Sequence, residues 1–126
     1  MPGHTYTITW TNGASTVTKS TAVTADEQVE LSATIPGSSA NLQHTMHLDV
    51  SAMSSAFLLC TAAATVKTNS SSAPDATITL TANVPVCWYT GGGGTNPFGA
   101  VDVTTIYVTC ADGGTLYIGA LQDPTP

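Results

Sequence analysis

The sequence predicts an all-β fold, an antiparallel β-sandwich with jelly-roll connections. Residues 5–10 and 77–82 alternate hydroxyl-bearing and apolar side chains, which is the period-two pattern of half-buried strands. About nine or ten segments of strand character follow one another at spacings near those of sandwiches and barrels. No segment has the apolar period of an amphipathic helix. We therefore expect residues 1–126 to form a single β-sandwich domain.

The first predicted element is a hairpin over residues 5–18. It turns at Asn12-Gly13, the favoured dipeptide of a two-residue type I′ turn, with alternating segments on both sides. A two-residue loop places Ile8 opposite Val17, so that apolar partners share one face and threonines share the other.

The later strands are predicted from apolar alternation bounded by turn-forming residues. They span residues 28–35, 42–50, 57–60, 62–67, 77–82, 86–89, 101–110 and 116–121, with a break of small residues at 51–55. A polar loop is expected at 69–75 and a glycine loop at 91–94. Asp112-Gly113 is expected to close a hairpin between the last two strands.

The charge balance excludes several classes of protein. The formal net charge is −6, and the only basic residues besides histidine are two lysines, Lys19 and Lys67. Nucleic-acid and anionic-membrane binders need clustered Lys and Arg, so we expect neither partner. The start at Met1-Pro2-Gly3-His4 has no basic region followed by an apolar run, so we expect no secretory signal and synthesis in a host cytoplasm.

The three cysteines are Cys60, Cys87 and Cys110. An odd number does not fit a closed disulfide framework, and each residue lies in an apolar segment of strand character. We expect three free, buried thiols in a chain made in a reducing compartment.

The sequence contains no motif that indicates catalysis, and we expect neither an enzyme nor a metal or cofactor. His44 and His47 fall on opposite faces of a strand, which disfavours a shared metal ion and makes His44 a hydrogen-bonded core histidine. The run Gly91–Gly94 is not followed by the Lys-Ser/Thr and helix of a phosphate-binding loop, so a mobile surface loop is expected there.

Aromatic residues beside the glycine loop form the candidate protein-contact surface. Glycines let a loop adapt to a partner, and aromatic side chains anchor contacts. The same aromatics could instead form the lid of the sandwich core. The candidate contact residues are Trp88, Tyr89, Gly92, Gly93, Pro97 and Phe98, and the amino-terminal hairpin is the second choice.

The order of segments in the second half of the chain is also informative. The segments are residues 66–74 (VKTNSSSAP), 78–89 (ITLTANVPVCWY), 96–98 (NPF), 102–109 (DVTTIYVT) and 123–126 (DPTP). Over about residues 45–126 this order resembles small structural proteins of tailed phages and prophages. The resemblance implies a virion component, most naturally a capsid decoration (cement) protein. Such a protein would lie on the capsid exterior, contact the major capsid protein and often form trimers.

Two alternatives remain open from the residues. A carbohydrate-binding module, for example on a head fibre, would use Trp10, Trp88 or Tyr89 to stack against a sugar. A tail-tube or tail-terminator subunit would form rings through its sheet edges.

Overall fold

A computed structural model describes residues 2–11 and 13–123. The described residues contain ten strands and one 3-10 turn, Val50–Ala52, and none of their helices could span a membrane. The strands are β1 (Gly3–Thr11), β2 (Thr16–Thr24), β3 (Glu27–Ile35), β4 (Ser39–Leu48), β5 (Met53–Cys60), β6 (Ala64–Thr68), β7 (Thr77–Leu80), β8 (Val86–Tyr89), β9 (Val103–Cys110) and β10 (Gly114–Gln122).

The body of the molecule is an antiparallel β-sandwich, which confirms the predicted fold class. The front sheet has the strand order β3-β10-β5-β8, and the back sheet has the order β4-β9-β6-β7. Strands β1 and β2 pair only with each other, and we call this hairpin, residues 3–24, the arm.

The eight strands of the sandwich pair as a nested series around the β6–β7 connection. β6 pairs with β7, β5 with β8, β4 with β9 and β3 with β10, all antiparallel. The pairs β5–β10 and β6–β9 then complete the two sheets. Consecutive strands from β3 to β10 therefore cross between the sheets, except at β6–β7.

The predicted hairpin at Asp112-Gly113 is wrong, because β9 and β10 belong to different sheets. The tight reversal itself is present. Gly113 has a φ of +75°, and a Cβ there would come within 2.7 Å of the Gly37 nitrogen, so the position requires glycine. An Asp-Gly reversal can therefore connect two strands of different sheets as well as two strands of one sheet.

The core lies between the inner faces of the two sheets. Ala56, Leu58 and Cys60 of β5 point inward, whereas the alternate residues Ser55 and Phe57 point outward. The buried apolar cluster consists of Ile35, Met46, Leu48, Val50, Met53, Ala56, Leu58, Cys60, Ala64, Val66, Ile78, Leu80, Phe98, Val103, Ile106, Val108, Cys110, Leu116, Ile118 and Ala120.

The loop between β6 and β7 is held by Asn69. Its Nδ2 donates to Asp75 Oδ2 at 2.7 Å and to the Asp102 carbonyl at 2.8 Å, and its Oδ1 accepts from the Thr104 amide at 2.9 Å. Asn69 also has a φ of +67°, a backbone conformation that asparagine tolerates better than most residues. This single side chain ties the loop to the start of β9.

The three cysteines are free, but they differ in burial. Cys60 and Cys110 are fully buried, as predicted, whereas Cys87 is exposed and its predicted burial is wrong. Its neighbours Val86 and Trp88 pack against the core, so alternation along the edge strand β8 turns Cys87 outward. Partial desolvation still raises the pKa of the Cys87 thiol.

In the monomer we expect Ellman's reagent to modify Cys87 faster than Cys60 and Cys110, because the two buried thiols have no exposed surface. Denaturation should release all three thiols to the reagent. The matched variant Cys87→Ser should remove the fast phase and leave the slow one. A second fast-reacting thiol in the native protein would contradict this burial pattern.

The arm is longer than predicted, and its strands pair in a different register. Trp10 lies opposite Val17 and Ile8 opposite Lys19, so a four-residue connection replaces the expected two-residue turn. Asn12 lies outside the described residues, and Gly13 has a φ of +90°. The shift is an even number of residues, so the predicted separation of apolar and threonine faces is confirmed although the pairing is wrong.

Candidate interaction site at the arm and the front sheet

The base of the arm binds the outer face of the front sheet through His4 and Tyr6. His4 Nδ1 lies 2.8 Å from Ser55 Oγ, and the Tyr6 hydroxyl also hydrogen-bonds the Ser55 hydroxyl. The same tyrosine donates to the Ala56 carbonyl at 3.2 Å. Ser55 is completely buried although it points away from the core, because the arm covers it.

Aromatic stacking connects this contact to the glycine loop. The rings of Tyr6 and Tyr89 are stacked, with centroids 5.1 Å apart and an interplanar angle of 27°. A Cβ at Gly92 would come within 2.6 Å of the Tyr89 ring, so the loop passes directly against that ring. The arm, β8 and the loop therefore meet at Tyr89.

The contact at the base is uncharged at neutral pH. Desolvation lowers the pKa of His4, and the nearby Glu30 carboxylate opposes this only in part. Desolvation raises the pKa of Tyr6, against the effect of its hydrogen bond to Ser55. Because both groups stay neutral, salt should weaken this docking little.

The tip of the arm extends the same face, and no other segment within residues 2–11 and 13–123 covers it. Ile8, Trp10 and Val17 are 65%, 57% and 60% exposed. Lys19, directly across from Ile8, is exposed as well. These residues form what we call the arm tip, an apolar surface with one cation.

The opposite face of the arm carries hydroxyl groups in cross-strand pairs. Thr7 pairs with Ser20 at 2.9 Å, Thr9 with Thr18 at 3.2 Å and Thr11 with Thr16 at 3.3 Å between side-chain oxygens. This face is polar, exposed and free of charge, in contrast to the arm tip.

A pocket of about 650 Å³ opens between the arm base and the front sheet. We call it the arm pocket. Its walls include Phe57, Cys87 and Tyr117 on the sheet and Glu30 on the edge strand β3, and His4 and Tyr6 close it on the arm side. Its size is within the range of ligand pockets, and its lining combines aromatic surface with one carboxylate.

The predicted contact residues do not form one exposed surface. Phe98 is completely buried in the core, which corrects its assignment as an exposed anchor. Asn96 causes this burial, because its Oδ1 accepts from the Phe98 amide at 3.0 Å and its carbonyl accepts from the Gly99 amide at 3.0 Å. The resulting turn directs the phenyl ring inward.

The other candidates are divided between the core side and the loop. Trp88 is half-buried and packs against the core, and Pro97 is half-buried. Gly93 is exposed, with a φ of +80°. Tyr89 and Gly92 are in direct contact, and the Gly92 amide donates to the Tyr89 carbonyl at 3.1 Å.

The aromatic residues proposed for sugar stacking lie in three different settings. Trp10 is on the arm tip, Trp88 faces the core and Tyr89 lies under Tyr6. They do not share a flat exposed platform.

The histidine pair is separated as predicted. His47 is exposed, whereas His44 is half-buried in register with Ile106. Among the residues that the structure describes, the buried Nε2 of His44 has no hydrogen-bond partner, so the expectation of a hydrogen-bonded histidine is wrong. Within residues 2–11 and 13–123, no group of three or more His, Cys, Asp or Glu side chains could hold a metal ion.

Sequence reasoning missed the contact between the arm base and Ser55. A serine next to a fully apolar strand segment is a weak signal, and residues 51–55 were expected to be a break rather than the start of β5. Comparisons of the chain with protein-family models, curated proteins and solved structures found no match.

Proposed function

We propose that this protein is a non-enzymatic structural protein of a phage virion, a capsid decoration protein. It assembles as a trimer on the capsid exterior and contacts the major capsid protein. The observation that carries this proposal is the arm tip, where three large apolar side chains are exposed together. Grouped apolar exposure is typical of surfaces that bind another protein.

The strand connections support a capsid role. The nested pairing of β3 to β10 is the pattern of an eight-stranded hairpin rolled into two sheets, and on this basis we infer a jelly roll. Jelly rolls are common in capsid and lectin domains. Fold alone does not assign function, so the arm carries more weight than the topology.

The surface chemistry also suits a protein that packs on a neighbour. The outer face of the arm presents paired hydroxyl groups, which are cheaper to desolvate than charges. Of the predicted contact residues, Tyr89, Gly92, Gly93 and Pro97 remain candidates for the capsid contact, because the arm stacks on Tyr89 and the other three lie in the segment that follows it.

The alternatives have less support. A carbohydrate-binding module needs an exposed aromatic platform, and Trp10, Trp88 and Tyr89 do not form one. A tail-tube ring would use the sheet edges, and no observation favours those edges over the arm.

The experiment has two parts. A mass-spectrometric inventory of purified virions should contain this chain, and the purified protein should rebind capsids that lack it. Rebinding should persist in high salt, because a contact of hydroxyl and apolar groups is weakly screened. Absence from virions, or tight binding to a glycan without binding to capsids, would overturn the proposal.

A further inference from the structure

We propose that the arm tip of one copy binds in the arm pocket of a second copy, so that the chains join head to tail in a closed ring. This inference rests on the oligomer of the proposed function and names the two surfaces that form it. Both surfaces belong to the same chain, and within residues 2–11 and 13–123 no other segment covers the tip or fills the pocket.

The arm tip has the apolar composition of a surface that is usually buried, although it is exposed. An isolated two-stranded hairpin is only marginally stable in water, and beyond Tyr6 the arm has no sheet beneath it. His4 and Tyr6 are half-buried on the face where Ile8 and Trp10 are exposed. One continuous face is therefore covered at its base and open at its tip.

The arm pocket matches the tip in size and chemistry. Its volume of about 650 Å³ has room for an indole together with a neighbouring aliphatic side chain. Phe57 and Tyr117 offer aromatic surface to Trp10, and Tyr117 is itself 41% exposed. Aromatic pairs in such pockets dominate the energetics of interfaces.

Charge complementarity selects a second copy as the occupant. Lys19 lies on the arm tip, and Glu30 lines the arm pocket. The other lysine, Lys67, already donates to the Ser71 carbonyl at 3.2 Å. The tip therefore presents a cation beside its apolar groups. The pocket presents the Glu30 carboxylate beside its aromatic lining, and one oxygen of this carboxylate also accepts from Gln28 Nε2.

The geometry requires the tip and the pocket to come from different copies. His4 and Tyr6 of the same chain already form one wall of its pocket, while the tip extends beyond the sandwich. Contacts between two different surfaces form rings when the rotation closes. A ring of three agrees with the proposed trimer and leaves no tip exposed.

The test measures the molar mass of the purified protein by light scattering across a concentration series, without capsids. We expect Trp10→Ser to weaken self-association by about 30-fold or more, the loss typical of an interface hot spot. Lys19→Glu and Glu30→Lys should each weaken it, and the double variant should recover most of the loss. Thr9→Ala changes the opposite face of the arm and serves as the matched control, with unchanged mass.

Three results would overturn the inference. The first is a wild-type protein that stays monomeric throughout the series. The second is equal behaviour of Trp10→Ser and Thr9→Ala, with circular dichroism confirming that both are folded. The third is a monomer that needs Trp10 to bind capsids, which would assign the tip to the capsid. Intact rings that fail to bind capsids would instead contradict the proposed function alone.

Discussion

Replacing Phe98 with alanine is expected to lower the free energy of unfolding by about 3–5 kcal/mol. The phenyl ring is completely buried among the core residues, so its removal leaves a cavity as well as losing apolar burial. The Asn96 turn fixes the loop backbone on both sides of the ring, which limits how far the cavity can collapse. Denaturant unfolding monitored by circular dichroism measures this change.

Tyr107→Ala is the matched control for Phe98→Ala. Tyr107 lies in the back sheet, remote from the arm. Its half-buried side chain is on the outer face of that sheet. Its loss should cost about 1 kcal/mol, because only part of the ring is removed from water. Equal costs for the two variants would contradict the burial of Phe98.

Replacing Asn69 with alanine should lower the free energy of unfolding by about 2–4 kcal/mol. The change removes bonds to Asp75, to the Asp102 carbonyl and to the Thr104 amide, and it leaves alanine at a φ of +67°. Proteolysis should then cleave the loop at residues 70–75 faster than in the wild type, because only the backbone bond from the residue 69 amide to the Thr105 carbonyl still joins this position to β9.

Two further variants separate the causes in the Asn69 result. Asn69→Gly keeps the backbone conformation and removes only the hydrogen bonds. Asn83→Ala changes an exposed residue with a φ of +60° and should cost about 1 kcal/mol from backbone strain. If Asn69→Ala costs no more than Asn83→Ala, the side-chain network does not stabilise the loop.

The sequence predicted the positions of the strands better than it predicted which strands pair and in which register. Residues 86–89 and 28–35 were placed correctly, because a half-buried strand has its own period-two pattern. The same pattern does not distinguish two registers that differ by two residues. The predicted pairing of Ile8 with Val17 was therefore wrong, and Ile8 lies opposite Lys19. The assignment of β9 and β10 to different sheets depends on contacts far away in the chain.

The candidate site was less predictable than the fold, for a related reason. From sequence, an aromatic residue beside a glycine loop can be an exposed contact residue or a buried core residue. For Phe98, the turn at Asn96 directs the side chain into the core. Ser55 is buried by Tyr6, which is 49 residues distant in the chain. Local sequence contains no information on which remote segment will cover a serine.

The nested pairing of the sandwich also determines when the front sheet can be completed during synthesis. Among the described strands, β3 is hydrogen-bonded within the front sheet only to β10, so this edge has to wait until β10 has emerged from the ribosome. Strands that are so far apart in the chain pair late and slowly, because the entropy cost of closing the long loop comes before the stabilising contacts form. The arm leads directly into β3, and its pocket is built partly from β10. A nascent chain without β10 therefore offers no complete pocket to a neighbour, and assembly is delayed until β10 has been made.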